Sequence, residues 1–231
     1  MSLAATAKTP SSSRTVMYET ILPQHCDTDG TLDIGELLRW ADLACSLATE
    51  AHTGTECCTV AVSDLAFEDG VMPCVGDLLE IAAIPVLANN TSLVVGLRVS
   101  VESRGCSMLK AACTAWFTFV TMRTGEAERP KCPPLLLSTD EELDMAARAL
   151  ERKNIMSKGV VAIEKLVSQS LSYQSSDSWA VPMSSTKVHM TQLVLPGHTN
   201  HMSNTFGGQI MAWMHTIALV AAGRHAKKES E

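Results

Sequence analysis

The stretch Asn204-Thr205-Phe206-Gly207-Gly208-Gln209-Ile210-Met211-Ala212-Trp213-Met214 reads as a polar turn, hinged on two glycines, that runs straight into an apolar helix. It has an echo earlier in the chain. An offset of 173 positions carries Leu22-Pro23 onto Leu195-Pro196, His25 onto His198, Gly35 onto Gly208 and Trp40 onto Trp213. In the same ungapped frame Leu37 and Leu38 fall on Ile210 and Met211. Coincidence of Pro, His, Gly and Trp in one frame marks an internal repeat: strand, Leu-Pro-x-His, polar loop, Gly, apolar helix with a Trp. The sequence stops at Glu231, so the second copy is expected to be cut short, with only its first strand and central helix over 186–231.

Around the first copy the pattern fills out. Residues 15–22 alternate as a strand that Pro23 closes, and 24–33 form a polar, acidic loop. From Ile34 the period becomes helical, with Leu37, Leu38, Ala41, Ala44, Cys45 and Ala48 on one stripe and Gly54 as the stop. Four strands are expected next, at 58–67, 77–87, 91–101 and 107–122. One long helix with a sheet that has an apolar face to offer it is an α+β arrangement. The first domain therefore spans 16–125. Residues 126–185 read as a linker with a helix at about 138–154, opened by a Ser138-x-x-Glu141 capping box, and with a short helical stretch at 160–168. Residues 1–15 read as a disordered tail; a weak transit peptide is the other reading of their Lys8, Arg14 and hydroxyl-rich composition.

Composition narrows the classes. With 46% apolar residues the 231-residue chain can build a core, and a net charge of −7 argues against a nucleic-acid partner. Eight cysteines lie scattered, without Cys-x-x-Cys or metal-type spacing, which points to reduced thiols and no metal site. No apolar run reaches the 18 or so residues of a membrane span.

The segment from Gln192 to Met214, with its Asn-x-Phe-Gly-Gly core, resembles the second hotdog domain of acyl-CoA thioesterases. Gly35-Glu36-Leu37-Leu38-Arg39-Trp40-Ala41-Asp42 and Thr59-Val60-Ala61-Val62-Ser63-Asp64-Leu65-Ala66-Phe67 resemble the first hotdog of the same double-hotdog branch, that of the cytoplasmic acetyl-CoA hydrolase and brown-fat-inducible thioesterases. The resemblance covers about 16–125 and 186–225. It implies a hotdog fold in one complete and one truncated copy, hydrolysis of short- to medium-chain acyl-CoA, no cofactor beyond the coenzyme A of the substrate, a cytoplasmic or mitochondrial setting, and homo-oligomers formed by hotdog pairing.

The residue chemistry fits that reaction. A thioester carbonyl needs N–H donors where its oxyanion forms, and a helix start made approachable by Gly207 and Gly208 can supply them. Asn204 can orient water or substrate; its plain reading is an N-cap. A carboxylate must act as base or nucleophile. The resemblance puts that acid on the other copy's helix, at Asp42, whose plain reading is a surface or capped Asp. The offset partners of Asn204 and Asp42 are Thr31 and His215. Only the mixed pair Asn204 with Asp42 then has both residue types, so one competent site per pair of copies is expected. Asp64, polar amid strand residues, is either a site carboxylate or a strand-end residue. By resemblance the pantetheine arm would follow strand backbone at Val60-Ala61-Val62 and Thr91-Ser92-Leu93. Arg152 and Lys153 are candidates for the nucleotide phosphates by charge alone; their plain reading is cations matching a helix C-terminus.

Two other readings compete. The chain could be a catalytically incomplete form that binds CoA or self-associates without turnover. A third reading is a calcium loop, from His25-x-Asp27-x-Asp29-Gly30-Thr31-Leu32-Asp33-x-x-Glu36, which fits most ligand places of an EF-hand. It lacks Asp at the first place, and Pro23 forbids the entering helix.

Overall fold

The computed structural model describes residues 6–106, 108–123, 125, 128–170 and 183–228. Its elements run β1 (Thr15–Thr20), α1 (Ile34–Thr53), β2 (Cys57–Phe67), β3 (Leu78–Ala88), β4 (Ser92–Glu102), β5 (Leu109–Thr121), α2 (Asp140–Ser170), α3 (Met183–Thr186) and α4 (Gly207–Lys228). The strands make one antiparallel sheet in the order β1-β3-β4-β5-β2. This is the expected α+β hotdog arrangement, with each strand within a few residues of its expected place.

The core follows from two periodicities. Along β4 and β5, Leu93, Val95, Leu97, Val99, Phe117 and Phe119 point to one face. Along α1, Leu37, Ala41, Ala44, Cys45 and Ala48 make the stripe that meets them. Small residues on the helix let it sit close to the sheet. Each large side chain removed from water contributes about 1.5–3 kcal/mol. Asp33 caps α1 by accepting the Glu36 N–H at 3.0 Å, and Gly54 ends it in the left-handed conformation at φ 69°.

The opposite face of the sheet is covered by α2, through Ala149 and Met145 against Val86, Val94 and Trp116. This helix is longer than expected: it runs to Ser170, past the expected end at about 154. The serines and weak periodicity beyond 154 hid the continuation, although a short helical stretch at 160–168 was expected and falls inside this helix. Its cap also shifts by one residue. Thr139 Oγ1 accepts the Glu142 N–H at 3.2 Å while Glu142 reaches back to the Thr139 N–H at 3.2 Å, so the capping box is Thr139 with Glu142.

The expected disordered tail also needs correction. Residues 6–14 pack on the domain. Lys8 Nζ donates to the carbonyls of Ala51 (2.9 Å) and His52 (2.7 Å), neutralising the C-terminal end of α1. The buried His52 donates from Nε2 to the Pro133 carbonyl (2.9 Å) and accepts at Nδ1 from the Ser13 hydroxyl (3.2 Å). One imidazole thus joins the N-terminal segment, α1 and the chain entering α2.

The second copy repeats the first contact by contact. Both Leu-Pro-x-His segments form a 3-10 turn, Pro23–His25 and Pro196–His198. The bridge Cys26↔Leu32 has its counterpart in Thr199↔Thr205. Asp27 N–H to Thr31 O (2.9 Å) is matched by Asn200 N–H to Asn204 O (2.8 Å). The helices α1 and α4 then pack at their starts in a reciprocal way. A Cβ on Gly208 would lie 2.7 Å from the Arg39 Cα, and one on Gly35 would lie 3.1 Å from the Ala212 Cα, the offset partner of Arg39. Neither position tolerates a side chain without separating the helices.

The second copy lacks the expected first strand: 187–195 form no regular element. A strand is held by its neighbour, and this segment has none among the described residues; Leu193 stands 77% exposed. Likewise Ile210 and Met214 of α4 are exposed where their copy-one partners Leu37 and Ala41 are buried under the sheet.

Candidate active site

At the start of α4, the Gly208 N–H donates to Asp42 Oδ2 at 2.7 Å. The other oxygen, Oδ1, accepts from the Thr59 hydroxyl at 2.7 Å. Asp42 is fully buried, so its plain reading as a surface residue is set aside. Burial pushes its carboxyl above the usual range, against the pull of the Thr59 and Gly208 hydrogen bonds. This is a carboxylate from one copy, held by the helix start of the other and by β2 beside it.

The two glycines do different work. A Cβ on Gly207 would lie 2.8 Å from Asp42 Oδ2 and 2.9 Å from Thr59 Oγ1. Only glycine lets the helix start sit on this pair. The Gly208 N–H is already taken by Asp42, which corrects the expectation that both amides stand free. The Gly207 N–H has no partner among the described residues.

Asn204 lies three residues before the helix, in the closed turn 199–205. Its N–H donates to Asn200 Oδ1 at 3.0 Å, and its side chain is exposed. The N-cap reading does not hold, because α4 begins at Gly207 and the Gln209 and Ile210 N–H groups bond the Phe206 carbonyl. His215, at the offset partner of Asp42, faces Asp33 Oδ2 at 3.9 Å.

The remaining candidates are not brought to Asp42. Thr59 pairs with Phe119 on the α1 face, whereas Ala61 and Ser63 pair with Thr118 and Trp116 on the α2 face. Register breaks at Thr59/Ala61 and Ser63/Ala66 mark bulges, and Asp64 at the second has φ 52°. Asp64 forms an ion pair with Arg152, whose guanidinium also lies 5.4 Å from the Trp116 ring centre. Lys153 donates to Asn89 Oδ1 at 3.0 Å. Arg152, Lys153, Asn89 and Trp116 border a cleft of about 250 Å³ between α2 and the sheet, on the face away from Asp42. Asp64, Arg152 and Lys153 therefore lie on the other face of the sheet from Asp42.

The strand-backbone candidates divide too. Val60, Ala61 and Val62 lie on β2, which among the described residues pairs only with β5 and leaves its other edge open. Thr91-Ser92-Leu93 cannot offer a backbone lane. Leu93 sits in central strand β4 between Ala88 and Phe119, with its side chain in the core, and the Thr91 carbonyl already accepts from Thr121 N–H at 2.9 Å.

Thr59 is the residue the sequence reading missed. A hydroxyl at an inward position of an otherwise apolar strand face was the available signal. The calcium reading also loses its footing: the Asp27 carboxylate accepts from the Asp29 and Thr31 N–H groups and the Thr31 hydroxyl, closing its own loop, and the Thr31 bond holds its carboxyl below the usual range.

Residues 30–107 match the thioesterase superfamily, so the chain carries a domain of that superfamily, with its hotdog fold. The mouse acetyl-coenzyme A thioesterase is 34% identical over 213 residues, 90% of this chain and 38% of that protein. Mouse acyl-coenzyme A thioesterase 11 is 36% identical over 211 residues, again 90% of this chain and 35% of that protein. The chain thus spans well under half the length of these curated relatives. Among solved structures, an acyl-CoA hydrolase from Bacillus cereus superposes with a TM-score of 0.63 at 21% identity, covering 71% of this chain and 98% of that one. A hexameric acyl-CoA thioesterase superposes with a TM-score of 0.62 at 22% identity, covering 67% and 97%. No helix among the described residues is long and apolar enough to cross a membrane.

Proposed function

We propose that this chain builds the reaction centre of an acyl-CoA thioesterase that hydrolyses short- to medium-chain acyl-CoA to free acid and coenzyme A. The observation that carries the reading is the buried Asp42 held between Thr59 and the Gly208 amide of the other copy. In its ionised form Asp42 takes a proton from the attacking water. Both its oxygens accept hydrogen bonds, which hold the carboxylate in one orientation. The Gly207 N–H, unpartnered among the described residues, faces the developing oxyanion, and Asn204 orients the water or the thioester. The pantetheine arm follows the open edge of β2 at Val60-Ala61-Val62. Names borne by the relatives support the substrate class. The setting proposed is the cytoplasm, with oligomers formed by hotdog pairing.

A second reading is favoured by the apolar positions of α4, such as Met214, that no sheet covers among the described residues. On that reading the chain associates or binds CoA without turnover. Thiol release from acetyl-, hexanoyl- and palmitoyl-CoA separates the two. Release that is fastest with the shorter chains supports the thioesterase; folded protein that releases none supports the second reading.

A further inference from the structure

His198 makes three contacts that tie the Asn204 turn to the helix behind it. Its Nδ1 accepts the Leu195 N–H at 3.1 Å, so that nitrogen carries no proton. Its ring stands edge-on to Trp213 of α4, with centres 5.2 Å apart and planes at 88°. Its carbonyl accepts the Phe206 N–H at 2.9 Å, closing the loop one residue before Gly207. Inside that closure, Asn200 Oδ1 accepts the N–H of Met202 and of Asn204, each at 3.0 Å. Ser203 completes the turn at φ 61°, a conformation a non-glycine residue holds only when its surroundings fix it. The exposed turn has little apolar burial of its own. Its placement depends on the imidazole at its root.

We infer that His198 is the positioning residue of the reaction centre: it fixes the turn that carries Asn204, and acts only through Asn204. The inference rests on the thioesterase reading for its catalytic consequence, though not for its structural one. The molecule supplies its own control. His25 makes the same contacts in the first copy, with Leu22 N–H at 3.2 Å, the Trp40 ring at 4.9 Å and the Asp33 N–H at 2.9 Å on its carbonyl. That turn carries Thr31 where the other carries Asn204. The two histidines are alike as structural staples, and only one of them roots a turn with the amide side chain.

The test compares His198→Ala, His198→Phe, His198→Asn and His25→Ala in the full chain. Phenylalanine keeps the ring against Trp213 and removes the acceptor; asparagine restores an acceptor where Nδ1 stood. Amide hydrogen exchange at Met202 and Asn204 is expected to speed up by roughly tenfold or more in His198→Ala and His198→Phe, to return toward the parent rate in His198→Asn, and to stay unchanged in His25→Ala. Thiol release is expected to fall by about tenfold in kcat with KM little changed for His198→Phe, and the double variant with Asn204→Ala to be no slower than Asn204→Ala alone. Unchanged exchange in His198→Phe, or equal loosening of the second turn by His25→Ala, overturns the inference. So do additive losses in the double variant. If the parent chain releases no thiol, the thioesterase reading falls and the exchange comparison still decides the role of His198.

Discussion

The Gly208 amide and the Asp42 carboxylate, 166 residues apart in the chain, meet at 2.7 Å across the packed starts of α1 and α4. Neither copy of the repeat makes this contact alone. The helix start gives the carboxylate a fixed donor, and the glycine spacing lets the two helices come close enough for it.

Asp42→Asn isolates charge from shape. The amide oxygen can accept the Gly208 N–H while its NH2 donates to Thr59 Oγ1, whose hydroxyl rotates to accept. Burial raises the carboxyl in the fold, so the folded state binds this proton more tightly than the unfolded chain. The ionised group then weakens the fold at neutral pH; the penalty begins to shrink as pH falls through the raised value and is gone below the unfolded one. Asp42→Asn is expected to melt at the same temperature or higher at neutral pH while losing thiol release; a clear drop in melting temperature contradicts this account of Asp42.

Thr59→Val keeps the volume and removes the donor. A hydrogen bond to a charged group contributes about 1.5–3 kcal/mol. Without it the Asp42 carboxyl is expected to rise further, moving the acid limb of the pH–rate profile to higher pH, with a loss of roughly ten- to hundredfold in kcat/KM below that limb. A profile that keeps its midpoint removes Thr59 from the site.

The glycines are expected to fail in order of what a new Cβ meets. In Gly208→Ala it meets the Arg39 backbone at 2.7 Å, which cannot yield without parting α1 from α4. In Gly207→Ala it meets side-chain oxygens of Asp42 and Thr59 at 2.8 and 2.9 Å. Overpacking of this kind costs about 1–3 kcal/mol. Denaturant midpoints should therefore fall further for Gly208→Ala, while Gly207→Ala loses turnover out of proportion to stability.

His52 sets an acid limit on the fold. Desolvation by burial lowers its pKa from the usual 6.5, outweighing the Pro133 carbonyl bond that favours the charged ring. A histidine lowered in the fold contributes stability that is full above its unfolded value and is lost as pH falls through the folded one. Below about pH 6.5 the melting temperature should decline, with exchange rising first in residues 6–14; His52→Gln should flatten that decline.

Much of this was legible in the sequence because two periodicities and one repeat agree. The stripe from Leu37 to Ala48, the alternation of Leu93 to Val101 and the capped ends at Asp33 and Gly54 fix helix and strands locally. The offset and the resemblance pointed to Asp42 working across the two copies, with Asn204 as its expected partner; the bond to the Gly208 amide was not foreseen. What stayed hidden depends on three-dimensional sidedness. The bulges in β2 decide that Thr59 faces α1 while Ala61 and Ser63 face α2, and no period-two reading finds a bulge. The same sidedness sets Arg152, Lys153 and Asp64 on the other face of the sheet from Asp42. The first strand expected of the second copy was read from the repeat, whereas a strand exists through its neighbour.

The most direct test of the central claim, that one reaction centre is assembled from both copies, is thiol release from hexanoyl-CoA by the parent chain beside Asp42→Asn and Asn204→Ala, each shown to be folded. The account predicts turnover in the parent and a loss of roughly tenfold or more in both variants, although the two residues lie in different copies. Turnover that survives either substitution contradicts it.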